Sequence, residues 1–185
     1  MTPEASDRRL IERLADPTFL EGLSELPIER LRVMREECRE AEMELSFERR
    51  LCQARIDILA AELDRRAGRG GEGDLMSRLP EILATESNQS SSPLPSRAPD
   101  LSVPRNADVP RRRVDEIAGE RTLSRMATLP DEEVEGILAS LKEWETGVSA
   151  RRKVIQEVMD KVQAEVVRRY KSGASDPADL FETPR

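Results

Sequence analysis

Residues 42–57 read EMELSFERRLCQARID, and residues 145–160 read ETGVSARRKVIQEVMD. Both stretches contain the pattern E-x3-S-x2-R-x3-Q-x3-D, and the two copies are 103 positions apart. At 100° per residue, the five positions of one copy lie within a helical stripe about 80° wide. The sequence therefore predicts two long helices with the same polar face, formed by Glu42, Ser46, Arg49, Gln53 and Asp57 and by Glu145, Ser149, Arg152, Gln156 and Asp160.

The composition favours helices over sheets. Among the 185 residues, 36% are charged and only 3% are aromatic, so a large packed core is not expected. Ala, Glu, Leu and Arg dominate, which is typical of long helices and coiled coils. We expect an all-α protein in which two long helices form a coiled coil with short flanking helices.

Composition also narrows the function classes. The chain has no His, which disfavours most hydrolase and zinc sites, and its formal net charge of −7 disfavours direct DNA binding. Cys38 and Cys52 are typical of small buried residues in a reducing cytoplasm. No apolar run is long enough for a bilayer, and the charged N-terminus does not resemble a signal peptide. We expect a cytoplasmic protein without metal, enzymatic activity or membrane contact.

Proline, glycine and polarity predict the organisation of the chain. Asp7 and Asp16-Pro17 bound a short apolar segment, Leu26-Pro27 and Leu129-Pro130 open the long helices with Ser24 and Thr128 as candidate caps, and glycines end them. The predicted segments are short N-terminal helices (1–25), a first long helix (26–67), a short helix (74–85), a flexible linker (86–113), a second long helix (129–171) and a tail (172–185). A further short helix is expected between Val114 and Met126.

The repeat extends beyond the motif to both ends of the long helices. At the same offset of 103, Leu26-Pro27 matches Leu129-Pro130, Ala61-Glu62 matches Ala164-Glu165, Arg65-Arg66 matches Arg168-Arg169, and Gly70 matches Gly173. The sequence therefore indicates two copies of one helix on either side of the linker.

Along each helix, apolar residues recur every seven positions and form a seam that consists of two rows. The motif glutamate and arginine lie in the second of these rows. If the helices pair antiparallel with their motifs level, Arg49 lies near Arg152, and Glu42 approaches Asp160 as Glu145 approaches Asp57. Like charges would then face each other, so we expect a ligand with anionic and polar groups among them. Arginine offers a planar fork for phosphate or for the O6/N7 edge of guanine, and carboxylates accept from guanine N1–H and N2–H₂. The residues alone leave the direction of the helices open.

The doubled signature resembles that of the RsiG family, cyclic di-GMP-dependent anti-sigma factors of sporulating actinobacteria, and all ten motif positions match. The resemblance implies an antiparallel coiled coil whose ten motif residues bind an intercalated dimer of cyclic di-GMP, two molecules per chain. It also implies that the loaded protein sequesters a WhiG-type sigma factor and so blocks late sporulation transcription.

Two kinds of function remain open on the residues themselves. One is a binding protein that the nucleotide activates, and the other is a ligand-independent coiled-coil adaptor whose polar stripe sets the register of the helices. The apolar segments around Phe19, Leu79 and Leu180 are candidates for the sigma-factor surface, although burial against the coiled coil also explains them and is the explanation we favour.

Overall fold

The computed structural model describes residues 10–69, 80 and 112–173, and all regular structure within them is helical. Residues 10–15 are helical. The other helices are the 3-10 turn Pro17–Leu20, the first long helix Ile28–Arg66, the short helices Arg113–Ala118 and Glu120–Arg125, the 3-10 turn Met126–Thr128, and the second long helix Asp131–Lys171. The predicted short helix 74–85, linker 86–113 and tail 172–185 lie almost entirely outside the described residues.

The two long helices begin in the same way, 103 residues apart. The carbonyl of Pro27 accepts from the amides of Arg30 (3.1 Å) and Leu31 (3.2 Å), and that of Pro130 accepts from Glu133 and Val134 (both 3.1 Å). Proline suits this place because it has no N–H to leave unpaired.

The prediction that Ser24 and Thr128 cap the long helices is wrong. Ser24 precedes the start of its helix, Ile28, by four residues, so it does not occupy the capping position. The hydroxyl of Thr128 lies in the preceding 3-10 turn and donates to the carbonyl of Arg125 at 2.8 Å.

A glycine with left-handed backbone follows each long helix. Among the described residues these are Gly68 (φ 69°) after the first helix and Gly173 (φ 70°) after the second. Glycine adopts this conformation without the steric cost of a Cβ. The first long helix therefore has 39 residues and the second has 41.

The chain divides into two compact units, and the first comprises residues 1–45 and 150–185. Its core joins Leu31 and Met34 of the first long helix to Val162 and Val166 of the second, with Phe19 and its apolar neighbours packed against them. Increasing numbers on one helix meet decreasing numbers on the other, as Arg32 donates to Tyr170 Oη (2.6 Å) and Arg35 donates to Gln163 Oε1 (3.5 Å). The helices of this unit are therefore antiparallel.

The second unit comprises residues 46–149. Its buried cluster draws on three elements: the first long helix, the segment before the second long helix, and the second long helix itself. The members are Cys52, Leu59, Val114, Ala118, Met126, Val134 and Leu141. Arg49 pairs with Glu145 and Arg66 pairs with Asp131, so the helices of this unit are antiparallel too.

Each unit repeats the core of the other at the offset of 103 residues. Leu31 and Val162 in the first unit correspond to Val134 and Leu59 in the second, and Leu23 corresponds to Met126. The repeat also begins earlier than the sequence indicated, because the helical residues 10–15 correspond to Arg113–Ala118. The expected all-α fold with two long antiparallel helices is confirmed, and the burial of Cys38 and Cys52 agrees with their predicted role.

Candidate functional site

The ten motif residues are distributed over the two units. Half-site A, in the first unit, consists of Glu42, Arg152, Gln156 and Asp160. Half-site B, in the second unit, consists of Ser46, Arg49, Gln53, Asp57, Glu145 and Ser149. The long helices position these side chains, since the motif spacing places one copy on one helical face.

Glu42 is the acceptor at the centre of half-site A. Its Oε1 accepts from Arg152 Nε at 2.9 Å and from Gln156 Nε2 at 3.1 Å. The side chains of Arg152 and Glu42 are 31% and 15% exposed, so the pair is partly shielded from water. Asp160 is exposed.

Glu145 has the same part in half-site B. Its Oε1 accepts from Ser149 Oγ at 2.8 Å and from Gln53 Nε2 at 3.4 Å, and it lies 3.7 Å from Arg49 Nη1. The ion pair with Arg49 is thus longer than that between Arg152 and Glu42.

The two half-sites are reciprocal. In each, the glutamate of one motif copy is bound by the arginine and the glutamine of the other copy, and the partners correspond at the offset of 103 residues. The structure therefore brings donors and an acceptor together twice, in the same chemical arrangement.

The expectation that like charges face each other is wrong. Arg49 contacts Glu145, which is seven residues before the Arg152 that it was expected to meet. The apolar seam repeats every seven residues, so it fits equally well in registers that differ by seven. In the observed register, carboxylate is paired with guanidinium in both units.

Half-site B also contains polar atoms without a hydrogen-bond partner. Within the described residues, Arg49 Nε and Asp57 Oδ2 are buried atoms that make no hydrogen bond. Burial raises the pKa of Asp57 above its ordinary value, because desolvation disfavours the carboxylate. A donor and an acceptor of the motif are therefore available to a ligand that reaches them.

The flank of the first long helix away from the motif is covered in the second unit. Arg55 forms an ion pair with Asp115 of the short helix Arg113–Ala118, and Trp144 Nε1 donates to Glu48 Oε1 at 2.9 Å. On a helical wheel, Arg55 and Glu48 lie more than 90° from the motif stripe. The sequence analysis missed these residues, although the heptad seam beside them was a signal for a covered flank.

The structure describes only one of the three apolar segments that were predicted as candidate sigma-factor contacts. Phe19 packs against the core of the first unit, which supports the interpretation of burial for that segment. Leu79 and Leu180 lie outside the described residues.

Other sites were sought in the part of the chain that the structure describes. No group of three or more acidic or Cys side chains there has the geometry to hold a metal ion. None of the described helices combines the length and apolar character that crossing a membrane requires.

Comparison with known proteins addresses the family. A search of curated proteins found no match. The family model described as RsiG-like matches residues 17–83 and 120–183, a share of the chain that includes both motif copies. The matched segments include most of the helical repeat, from Pro17 onward in the first copy and from Glu120 in the second. The chain belongs to the RsiG-like family.

Proposed function

We propose that this protein is an anti-sigma factor that binds cyclic di-GMP through its ten motif residues and, when loaded, sequesters a WhiG-type sigma factor to block late sporulation transcription. Membership of the RsiG-like family supports a regulator of the anti-sigma-factor type. The nucleotide and the identity of the sigma factor are the finer parts of the proposal.

The reciprocal arrangement of Glu42 with Arg152 and Gln156, and of Glu145 with Arg49 and Gln53, carries the proposal. It places a planar cation, an amide and a carboxylate within hydrogen-bonding reach of one another. Guanine can use the cation and the carboxylate, since O6 and N7 accept from arginine while N1–H and N2–H₂ donate to a carboxylate. A ligand with guanine bases and phosphates therefore matches this chemistry.

Binding requires an exchange of partners. The glutamates pair with the arginines, so the nucleotide must replace a glutamate at each guanidinium. The long 3.7 Å contact between Arg49 and Glu145 and the unbonded Arg49 Nε make half-site B the easier place for this exchange. Half-site A, with its 2.9 Å pair, would then be the second to open.

The partner-binding step follows from linkage. A nucleotide that raises the affinity of the protein for the sigma factor must itself bind more tightly when the sigma factor is present. Calorimetric titration with cyclic di-GMP, with and without a WhiG-type sigma factor, tests this. We expect binding in both cases and higher affinity in the second, and an equal affinity in both would contradict the sequestration step.

The arginines provide the test of the site itself. We expect Arg49→Ala with Arg152→Ala to abolish nucleotide binding, because both planar cations are lost. Arg30→Ala with Lys153→Ala removes the same charge from exposed positions on the two long helices and is the matched control. Equal affinities of these two double variants would contradict the assignment.

A ligand-independent adaptor is the second candidate, and the internal pairing favours it because Glu42 is satisfied without a ligand. In that case the motif sets the register of the helices and nothing more. The adaptor predicts a melting temperature that is indifferent to cyclic di-GMP and a partner affinity that is the same with and without it.

A further inference from the structure

Two clusters of one glutamate and two arginines lie at the C-terminal ends of the long helices, outside the motif. In the first, Arg65 Nε and Nη2 donate to the two oxygens of Glu62, both at 2.8 Å, and Arg66 Nε donates to Glu62 Oε1 at 2.8 Å. The Glu62 side chain is 2% exposed. A carboxylate this buried is tolerated because both of its oxygens are paired.

Glu62 orients Arg66 toward the segment that leads into the second long helix. Arg66 Nη1 donates to the carbonyl of Leu129 at 2.7 Å and to Asp131 Oδ1 at 2.6 Å, and Nη2 donates to the carbonyl of Met126. Four of the five guanidinium donors are thus used. Only the arginine fork provides this set, since a lysine ammonium is a point charge.

The second cluster repeats the first in the other unit. Arg168 donates to both oxygens of Glu165 at 2.7 Å, and Arg169 Nε donates to Glu165 Oε1 at 2.9 Å. Arg169 Nη2 then donates to the carbonyls of Leu23 (3.3 Å) and Ser24 (2.9 Å), which precede the first long helix. Leu23 and Met126 correspond at the offset of 103 residues, so the two clusters make the same contact.

We propose that Arg66 and Arg169 are positioning residues that set the axial register of the long helices and so bring each motif glutamate opposite the arginine and glutamine of the other copy. The apolar seam cannot do this alone, because registers seven residues apart bury the same rows. The two clusters can set the register, because each binds one particular segment before a helix and has no equivalent seven residues away.

Arg168 and Arg169 form a matched pair for the test. Both bind Glu165, but the two hydrogen bonds described for Arg168 go to Glu165 alone, whereas Arg169 also binds the opposite segment. Arg168→Lys and Arg169→Lys therefore change the same cluster, and only the second removes a contact that fixes register.

The register is read by double electron–electron resonance between nitroxides at Val33→Cys and Val154→Cys, which are exposed positions (48% and 40%) of the first unit. The native Cys38 and Cys52 are fully buried, and burial raises the pKa of Cys38 to about 11, so neither competes for the label. A slip by one heptad moves one helix about 10 Å along the other.

We expect Arg169→Lys to broaden the distance distribution or add a second population, and Arg168→Lys to leave it narrow. The part of the proposal that concerns the ligand rests on the proposed function, and there we expect cyclic di-GMP to bind about tenfold or more weakly to Arg169→Lys. Identical distances for the two variants would overturn the proposal, whatever the nucleotide does. Absence of nucleotide binding by the parent protein would instead contradict the proposed function and leave the distance result decisive for register.

Arg66 provides a second variant in case Arg169→Lys loses helical content by circular dichroism. Trp144, the only tryptophan, bonds Glu48 across the helices of the second unit and reports on their register by fluorescence. We expect Arg66→Lys to shift the Trp144 emission. The control Arg69→Lys changes an exposed arginine whose described bonds go to Asp64, and an equal effect of both variants would overturn the proposal.

Discussion

Arg152 donates from Nε to Glu42 Oε1 at 2.9 Å, and so joins the two motif copies in the first unit by an ion pair of opposite charges. The corresponding residues Arg49 and Glu145 face each other in the second unit at 3.7 Å. The motif is therefore internally paired, and a ligand must compete with that pairing.

A charge exchange at this pair separates its structural role from nucleotide recognition. Glu42→Arg alone places two guanidinium groups together, and we expect a loss of about 1–3 kcal/mol in the free energy of unfolding. Adding Arg152→Glu restores the ion pair, and stability should largely recover. Binding of cyclic di-GMP should stay lost, because donor and acceptor have changed places.

Chemical denaturation and calorimetry measure the two effects on the same variants. A double variant that binds the nucleotide like the parent protein would contradict the assignment of Glu42 and Arg152 to ligand recognition, and would favour the adaptor.

The raised pKa of Asp57 predicts a pH dependence of nucleotide binding. If guanine donates to Asp57, the ionised form is favoured in the complex, and the pKa of Asp57 falls on binding. Affinity should therefore decrease as the pH is lowered through the raised pKa of the free protein, and should be flat at higher pH. Titrations from pH 7 down to pH 4 measure it.

Asp57→Asn is the variant that isolates this effect, since an amide does not titrate in the range. We expect the pH dependence to diminish in Asp57→Asn and to persist in Asp160→Asn, where the exposed counterpart is changed. An unaltered pH profile in Asp57→Asn would show that another group is responsible.

The two glutamate–arginine clusters at the C-terminal ends of the long helices should lose their stabilising effect only at low pH. Hydrogen bonds from Arg65 and then Arg66 lower the pKa of Glu62 to about 2, and those from Arg168 and Arg169 lower that of Glu165 to about 2. Because these pKa values lie below the ordinary glutamate value of 4.5, the stabilisation from both groups is complete above pH 4.5 and is lost as the pH falls toward 2.

Thermal unfolding at a series of pH values from 7 to 2.5 measures this loss. We expect Glu62→Gln with Glu165→Gln to be less stable at pH 7 and to show a smaller decrease toward pH 2.5. Glu157→Gln, an exposed change on the second long helix, should keep the full decrease. Parallel curves for all three proteins would contradict the lowered pKa values.

Gly119 separates the short helices Arg113–Ala118 and Glu120–Arg125, and space requires a glycine there. A Cβ at this position would lie 2.5 Å from the backbone oxygen of Asp115, which cannot move without disturbing its helix. We expect Gly119→Ala to lower the free energy of unfolding by about 1–3 kcal/mol.

Gly136→Ala is the control for Gly119→Ala, because a Cβ there would meet no atom within 4 Å. In the middle of a helix this change should be neutral or stabilising. Equal denaturation midpoints for the two variants would contradict the steric explanation.

The repeat made the helices predictable from sequence. Two copies of one polar stripe, each following Leu-Pro, indicated both long helices, and these begin 103 residues apart at Ile28 and Asp131. Residues 10–15 and 113–118, which precede the long helices, were harder to recognise as copies of each other because their apolar residues are of different types. Gly68, one of the glycines that follow the first long helix in the sequence, has the left-handed backbone.

The charge pairing in the site could not be obtained in this way. Periodicity places Glu42 and Arg152 on the same kind of face but leaves the register open by seven residues. The contacts that choose the register, such as Arg169 with the carbonyls of Leu23 and Ser24, go to backbone atoms and carry no side-chain signature. The sequence therefore indicated the candidate residues of the site and not their partners.

The stoichiometry of nucleotide binding is the most direct test of the central claim. Calorimetric titration of the full chain with cyclic di-GMP should show two molecules bound per chain, and no binding to the variant with Arg49→Ala and Arg152→Ala. Absence of binding to the parent protein, or equal binding to both proteins, would contradict the claim that the doubled motif is a cyclic di-GMP site.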